Sequence, residues 1–480
     1  MSNPTKYDAV VVGSGPNGLA AALTMTRAGL RVMVIEAADT IGGGTRTREL
    51  TLPGFRHDVC SAIHPFGRIS PFFKMAKLEE AGLEWIDPPA CLAHPFDDGT
   101  VALLERSVEN TAESLGVDSE AYMSFIKPLL KRWRLIDDSV LGPLQFPKNP
   151  FAMISFGLKA LRSARGLAES RFRGKRARSL FCGIAAHGSL PLERTVSASF
   201  GMVLLTLAHV NGWPFPRGGS YRIAEVMTGI LKSKGGEIVI GQAVRTLSDI
   251  PPARAILFDL TPRQIIGIAR EALPFPYLRK LERYRYGAGV FKVDWALREP
   301  APFAVAECRR AATVHLAGSM AEIAESQRLV ARGEFPDRPF VLFAQQSQFD
   351  PTRAPSGRHT AWAYCHVPSW SDFDMTERIE AQMERFAPGF KDVILARHAM
   401  GPRQLEEYNS NCIGGDISGG LQDWRQLFTR PTWSLTPYRM PVRGMYICSS
   451  STPPGGGVHG MCGYWAARTT LKDIFKIFLE

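Results

Sequence analysis

The amino-acid sequence predicts an α/β fold organised around a Rossmann-type βαβ unit. A β-rich run, YDAVVV (7–12), is followed by GSGPNG (13–18) and then by an alanine- and leucine-rich run that stops at Gly29. A second β-rich run, LRVMVIE (30–36), ends on an acid. Near the other end, GMYICSS (444–450) reads as a strand leading through the bare loop STPPGGGVHGMCG into the helical run YWAARTTL. At 480 residues the chain exceeds one ordinary core, so two domains are expected, interleaved if both ends join one sheet.

The first strand is a short β-rich run, consistent with a buried parallel strand. Gly13, Gly15 and Gly18 give G-x-G-x-x-G, a weak pattern by itself. Here it follows a strand, opens a helix and precedes Glu36 by eighteen residues, which is the context that dinucleotide binding demands. Gly13 permits the tight turn, Gly15 lets a pyrophosphate approach the backbone, and Gly18 lets helix and strand pack closely. The helix N-terminus offers free N–H groups and a positive dipole to phosphates. Glu36 would accept hydrogen bonds from ribose hydroxyls. Further on, GGGTRT (42–47) supplies Gly43, Gly44 and Arg46. This resembles the second glycine pair of two-dinucleotide-binding-domain flavoproteins, which implies FAD. Arg46 would stand near the phosphates or the flavin, with an ordinary surface arginine as the alternative. No second fingerprint follows a strand, so one FAD with no separate NAD(P)H domain is the economical reading.

The middle of the chain is less regular. DSEAYMSFIKPLLKRWRLIDDSVL (118–140) reads as helix that Pro128 should kink or divide. Proline-rich breaks at 142–150 and 212–219 look like crossings between units. After the second, SYRIAEVMTGILKSKGG reads as helix and EIVIGQAVRTL as one or two strands. In YGAGVFKVDWAL (286–297), Phe291, Val293 and Trp295 alternate with Lys292 and Asp294.

The C-terminal glycines answer to the N-terminal unit. A flavin lying across a doubly wound sheet needs a helix N-terminus aimed at the electron-rich end of its ring. Gly455, Gly456 and Gly457 would let the loop lie against the ring, and Val458, Gly460 and Met461 would present N–H groups to its pyrimidine edge. Tyr464 and Trp465 would pack beneath it.

Composition bounds the rest. Hydrophobic residues at 45% and charged ones at 21% describe a globular chain rather than a disordered one. No apolar run reaches the roughly eighteen residues that span a bilayer. A strand starting at Tyr7 leaves no room for a leader, so a cytoplasmic location is expected. The eight cysteines contain no Cys-x-x-Cys pair and no zinc-ligand spacing. Neither a metal site nor a disulfide-reductase mechanism is therefore expected. The net charge of +11 is concentrated between Lys159 and Arg178, where eight basic residues accompany one acid. That segment points to an anionic surface, such as a membrane, rather than to a generally sticky protein, and no nucleic-acid partner is expected. Phe146, Phe151, Phe156, Phe172 and Phe181 lie beside it, and Ile154, Leu158 and Leu161 fall near one helical face. One reading is a membrane-facing entrance for an apolar substrate. The other is a solvated basic face over an ordinary core.

VVVGSGPNGLAAA, VIEAADTIGGGTRT, WPFPRGGSYRIAEVM and MYICSSSTPPGGGVHG together resemble the phytoene dehydrogenase-like (carotenoid desaturase-like) flavoproteins. The resemblance implies a discontinuous FAD-binding domain, 1–70, 212–290 and 425–480, of the amine oxidase/phytoene desaturase type. An inserted α+β substrate domain would occupy 71–211 and 291–424. It also implies flavin redox chemistry on apolar, often polyene, substrates. Val244 matches the position whose backbone faces the adenine. Lys292 resembles the strand lysine that holds a water near flavin N5 in related amine oxidases, although strand alternation equally allows it a solvated face. His64 and His459 are the acid–base candidates, because both motifs should border the flavin and histidine titrates near neutrality. Each could instead be a loop histidine bonded to backbone. Three classes stay open: an FAD-dependent dehydrogenase, desaturase or oxidase; a flavin amine oxidase; and a flavin-binding protein without turnover.

Overall fold

The structure is a computed structural model, and residues 6–479 are described. Five parallel strands form one sheet in the order Met445–Ile447, Ala253–Phe258, Tyr7–Val12, Val32–Ile35, Glu237–Val239. The order reverses beside the first strand, and ligands of open α/β sheets bind outside the strand ends at such a switch point. The helix Pro16–Arg27 rises from the glycine turn with proline in its first turn and ten buried residues. The terminal helix Met461–Thr470 lies against it so closely that a Cβ on Gly463 would sit 1.8 Å from the Asn17 carbonyl oxygen. The last helix of the chain therefore packs on the first.

A seven-stranded mixed sheet runs Ile394–Met400, Gly289–Leu297, His359–Val367, Val341–Ala344, Ala311–Leu316, Ala90–Pro95, Val101–Leu104. Helices between Val108 and Asn211 form a layer whose core includes Phe125, Phe172 and Phe181. Every residue of Gly289–Leu297 is buried, because the strand is central and both faces are covered. This overturns the solvated reading of Lys292. Its polar alternates have become a buried ion network instead.

Three local expectations change. Ser119–Val140 is one helix through Pro128, held by a buried stripe that includes Tyr122, Phe125, Leu129 and Trp133. After Glu237–Val239 the chain leaves the sheet, so Val244 stands in irregular structure. The predicted aromatic group divides. Phe172 and Phe181 pack with Phe125, whereas Phe146 (86% exposed) and Phe151 (85%) face outward beside Ile154, Leu158 and Leu161. No helix is long and apolar enough to cross a membrane among the described residues.

Candidate functional site

A single cavity of about 1060 Å³ runs from the glycine turn, past the C-terminal loop, to the helical layer and the seven-stranded sheet. Gly13, Gly15, Glu36, Gly43, Gly44, Arg46, His64, Val244, Gly457, Val458 and His459 all line it. Residues from both chain termini and from segment 242–245 thus meet in one place.

The dinucleotide end is a cradle made by missing side chains. A Cβ on Gly43 would come within 3.0 Å of the Gly15 Cα, and one on Gly15 within 2.6 Å of Asp259 Oδ2. Gly18 lies just behind, its Cβ position 2.2 Å from the Gly13 carbonyl oxygen, which is the packing role the spacing assigned to it. Gly15 caps the helix without any side-chain bond. Asn17 also lines the cavity, and its buried Oδ1 has no partner. Glu36 is oriented by Ser14 N–H (2.9 Å), Ser14 Oγ (2.5 Å), Ala38 N–H (2.9 Å) and Arg46 Nη2 (3.2 Å). Arg46 is 3% exposed and also donates to the Thr40 carbonyl at 2.9 Å, so it is no surface arginine. These residues fit a dinucleotide: bare backbone and a helix N-terminus for phosphates, and an acid at the end of the second strand.

Asp259 escaped the sequence reading. It follows the strand Ala253–Phe258 and accepts the Gly18 N–H at 2.9 Å from beneath the turn. Burial raises its carboxyl to about 7, and the Glu36 charge adds to the effect. Its only signal in the sequence is an acid after a strand, which means nothing until that strand is known to sit beside the first. Cys60 and Cys412 were also missed as a pair. Their thiols meet at the cavity wall although 352 residues separate them, each shifting the other's ionisation, Cys60 down and Cys412 up. No disulfide is present among the described residues.

The acid–base candidates are both neutral near pH 7. Burial pushes His64 and His459 down to about 4. His64 Nε2 lies 2.8 Å from Ser220 Oγ. His459 Nδ1 accepts the Met461 N–H at 3.0 Å, which leaves its proton on Nε2. His459 therefore cannot take up a proton at Nδ1 while that bond stands. The same bond corrects the role given to Met461: its N–H is used internally, and neither Met461 nor Gly460 lines the cavity. Tyr464 and Trp465 are likewise set back, with Trp465 Nε1 donating to the Leu141 carbonyl at 3.1 Å.

Lys292 does not line the cavity. Its ammonium donates to both oxygens of Asp294 at 2.6 Å and to the Asp58 carbonyl at 3.0 Å. It stands 5.3 Å from the centre of the Trp362 ring, which stacks on Tyr364. The three donors of the ammonium are spent, so a water-holding role finds no support in this geometry.

The basic segment 159–178 is mostly tied to the protein itself. Arg165 bonds Glu169, Lys175 pairs with Asp98, Arg176 donates to the Ser114 carbonyl and Arg178 to that of Phe172. The exposed apolar surface lies one helix earlier. Pro150–Ala160 turns Phe151, Ile154 and Leu158 outward while Met153, Phe156 and Gly157 line the cavity.

A model of the NAD(P)-binding Rossmann-like domain matches residues 11–76. Over 98% of this chain and 94% of its own length, the mouse protein "Pyridine nucleotide-disulfide oxidoreductase domain-containing protein 2" is 23% identical. The phytoene dehydrogenase of Streptomyces griseus is 28% identical over 50% of this chain and 48% of its own length. The chain is thus similar along nearly all its length to a protein named as an oxidoreductase and along half of it to a phytoene dehydrogenase. A limonene dehydrogenase component from Castellaniella defragrans is 22% identical over 99% of this chain and 96% of its own. Among solved structures, cyclohexylamine oxidase from Brevibacterium oxydans superimposes with a TM-score of 0.61 at 16% identity, covering 98% of this chain and all of its own (100%). That likeness speaks for the fold alone. The chain is thus an α/β oxidoreductase relative with amine oxidase-like architecture.

Proposed function

We propose that this protein is an FAD-dependent oxidoreductase that takes a hydride from an apolar substrate. The observation that carries the reading is the continuity of the cavity: one end is a dinucleotide cradle, and the other is walled by Leu144, Phe156, Leu161, Phe200, Leu204 and Leu342. Gly15, Gly43 and Gly44 would hold the diphosphate, Glu36 the ribose, Val244 the adenine side, and Gly457 and Val458 the ring. Bound FAD would supply a two-electron acceptor. The apolar walls exclude water from the reacting C–H. The names of two relatives, phytoene dehydrogenase and limonene dehydrogenase, both refer to hydrocarbons, which supports an apolar substrate class.

An amine oxidase reading has the fold and the stacked Trp362–Tyr364 pair in its favour. Against it, the wall formed by Leu144, Phe156, Leu161, Phe200, Leu204 and Leu342 is apolar, and a cationic amine held there would lack a counter-charge. The exposed helix face at Phe151, Ile154 and Leu158 suggests that substrate enters from a lipid surface.

The test is the flavin itself. Purified protein should be yellow, carry about one non-covalent FAD per chain, and release it on acid precipitation. Apolar molecules of the alkene class or their oxygenated derivatives should bleach it anaerobically, while primary amines and NADH should not. Protein that binds no FAD after reconstitution refutes the reading.

A further inference from the structure

Away from the glycine turn, a file of histidines enters the cavity wall from the core. His187 lines the cavity in the turn after the helix Lys175–Ala185. Its Nε2 lies 2.9 Å from His315 Nε2, and His315 is fully buried in the strand Ala311–Leu316. His94 follows, its ring centre 6.2 Å from that of His315. Burial drives His187 down to about 3 and His315 well below its ordinary range, so both imidazoles are neutral at pH 7.

Neutrality fixes the protons. Two facing Nε2 atoms can share one N–H, and one ring must be its donor. His315 Nδ1 is buried with no partner. If His187 donated, His315 would carry its own proton on that Nδ1, an orphaned N–H in the core, which folded proteins rarely tolerate. His315 Nε2–H therefore donates to His187 Nε2. His187 must then carry its proton on Nδ1, which has no partner among the described residues and is absent from the fully buried unpartnered atoms, so it is open to the cavity.

A second observation points to the same wall. Thr313 lines the cavity two residues before His315 on the same strand face, and its buried Oγ1 has no partner. The register places Ala344 opposite Thr313 and Trp362 opposite Ala344, and Trp362 Nε1 is also unpartnered. A small side chain thus separates two unspent polar groups beside a fixed donor. Both atoms are closed off as they stand, so of these three polar groups the His187 Nδ1–H is the one open to a ligand oxygen.

We propose that His187, held by His315 as a neutral hydrogen-bond donor, receives an uncharged acceptor oxygen of the substrate. The substrate is then an oxygenated apolar molecule, such as a ketone or an alcohol, rather than a pure hydrocarbon. This rests on reading that half of the cavity as the substrate side. His187 acts here as a specificity residue.

The experiment titrates the flavin-loaded protein with cyclooctanone and with cyclooctane, reading tryptophan fluorescence, since Trp213 lies 5.7 Å from the His187 ring. The ketone should bind the wild type roughly tenfold to a hundredfold more tightly than the alkane. His187→Leu should abolish that preference while alkane affinity and flavin content hold. On the wild type, nitrogen-15 NMR at pH 7 should find the His187 proton on Nδ1 and the His315 proton on Nε2. Equal affinities, no binding of either probe, a preference that survives His187→Leu, or the opposite tautomers would overturn the proposal. Flavin content is measured separately. Ketone preference in a protein that binds no flavin would sink the proposed function and leave this inference standing; flavin without preference would do the reverse.

Discussion

Replacing Asp259 with asparagine tests the least expected part of the cradle. The carboxyl sits under the turn, accepts the Gly18 N–H at 2.9 Å and is raised by burial from 3.8 to about 7. Between about pH 4 and 7 the unfolded chain has released this proton while the folded chain keeps it. Stability contributed by the group therefore falls as pH rises through that window and levels off above it. The span from 3.8 to about 7, at about 1.4 kcal/mol per pH unit, sets a ceiling of about 4 kcal/mol on the loss. Asparagine keeps an oxygen for Gly18 and carries no charge. The assay is urea unfolding of both proteins from pH 4.5 to 8. The variant should gain on the wild type progressively up to pH 7, then run parallel to it. Buried histidines pull the other way: His64 and His459, held near 4, make both proteins more stable as pH rises toward about 6.5. They contribute equally to both chains and cancel in the difference. A difference that stays flat across the range refutes the assignment of a protonated Asp259.

Gly15→Ala places a Cβ 2.6 Å from Asp259 Oδ2 and should abolish FAD retention on gel filtration, whereas Glu36→Ala should weaken it by about 1–3 kcal/mol in titrations of stripped protein. Lys292→Met strands Asp294 without its buried partner and should cost about 3–5 kcal/mol in denaturant unfolding; normal stability with lost turnover would return Lys292 to the chemistry. Acidic liposomes should bind the wild type, and replacing Phe151, Ile154 and Leu158 with serine should abolish binding while FAD content stays constant. Under the structure's placement of the apolar face, neutralising Arg171 and Arg173 should weaken liposome binding by only about 1 kcal/mol each.

Local pattern reached the βαβ unit, its helix and the C-terminal strand–loop–helix, because a glycine turn, a strand end and a cap are set by residues adjacent in sequence. Gly13, Gly15, Glu36, Gly43 and Gly457 were legible for the same reason: each role depends on its own backbone or on the end of its own strand. Lys292 was misjudged because alternation cannot reveal that a strand has neighbours on both sides and covers on both faces. Met461 and His459 look independent in sequence, yet one hydrogen bond uses the N–H of the first and the Nδ1 of the second. Asp259 acquires meaning only when Ala253–Phe258 is laid beside Tyr7–Val12, and the thiols of Cys60 and Cys412 meet only through the folded chain. The His187–His315 pair spans 128 residues and takes its protonation from burial, a property that no spacing encodes. Sequence alone determined where a dinucleotide could lie, since that depends on the absence of side chains. Tertiary structure decided which polar groups face the substrate, since that depends on which partners folding has already used.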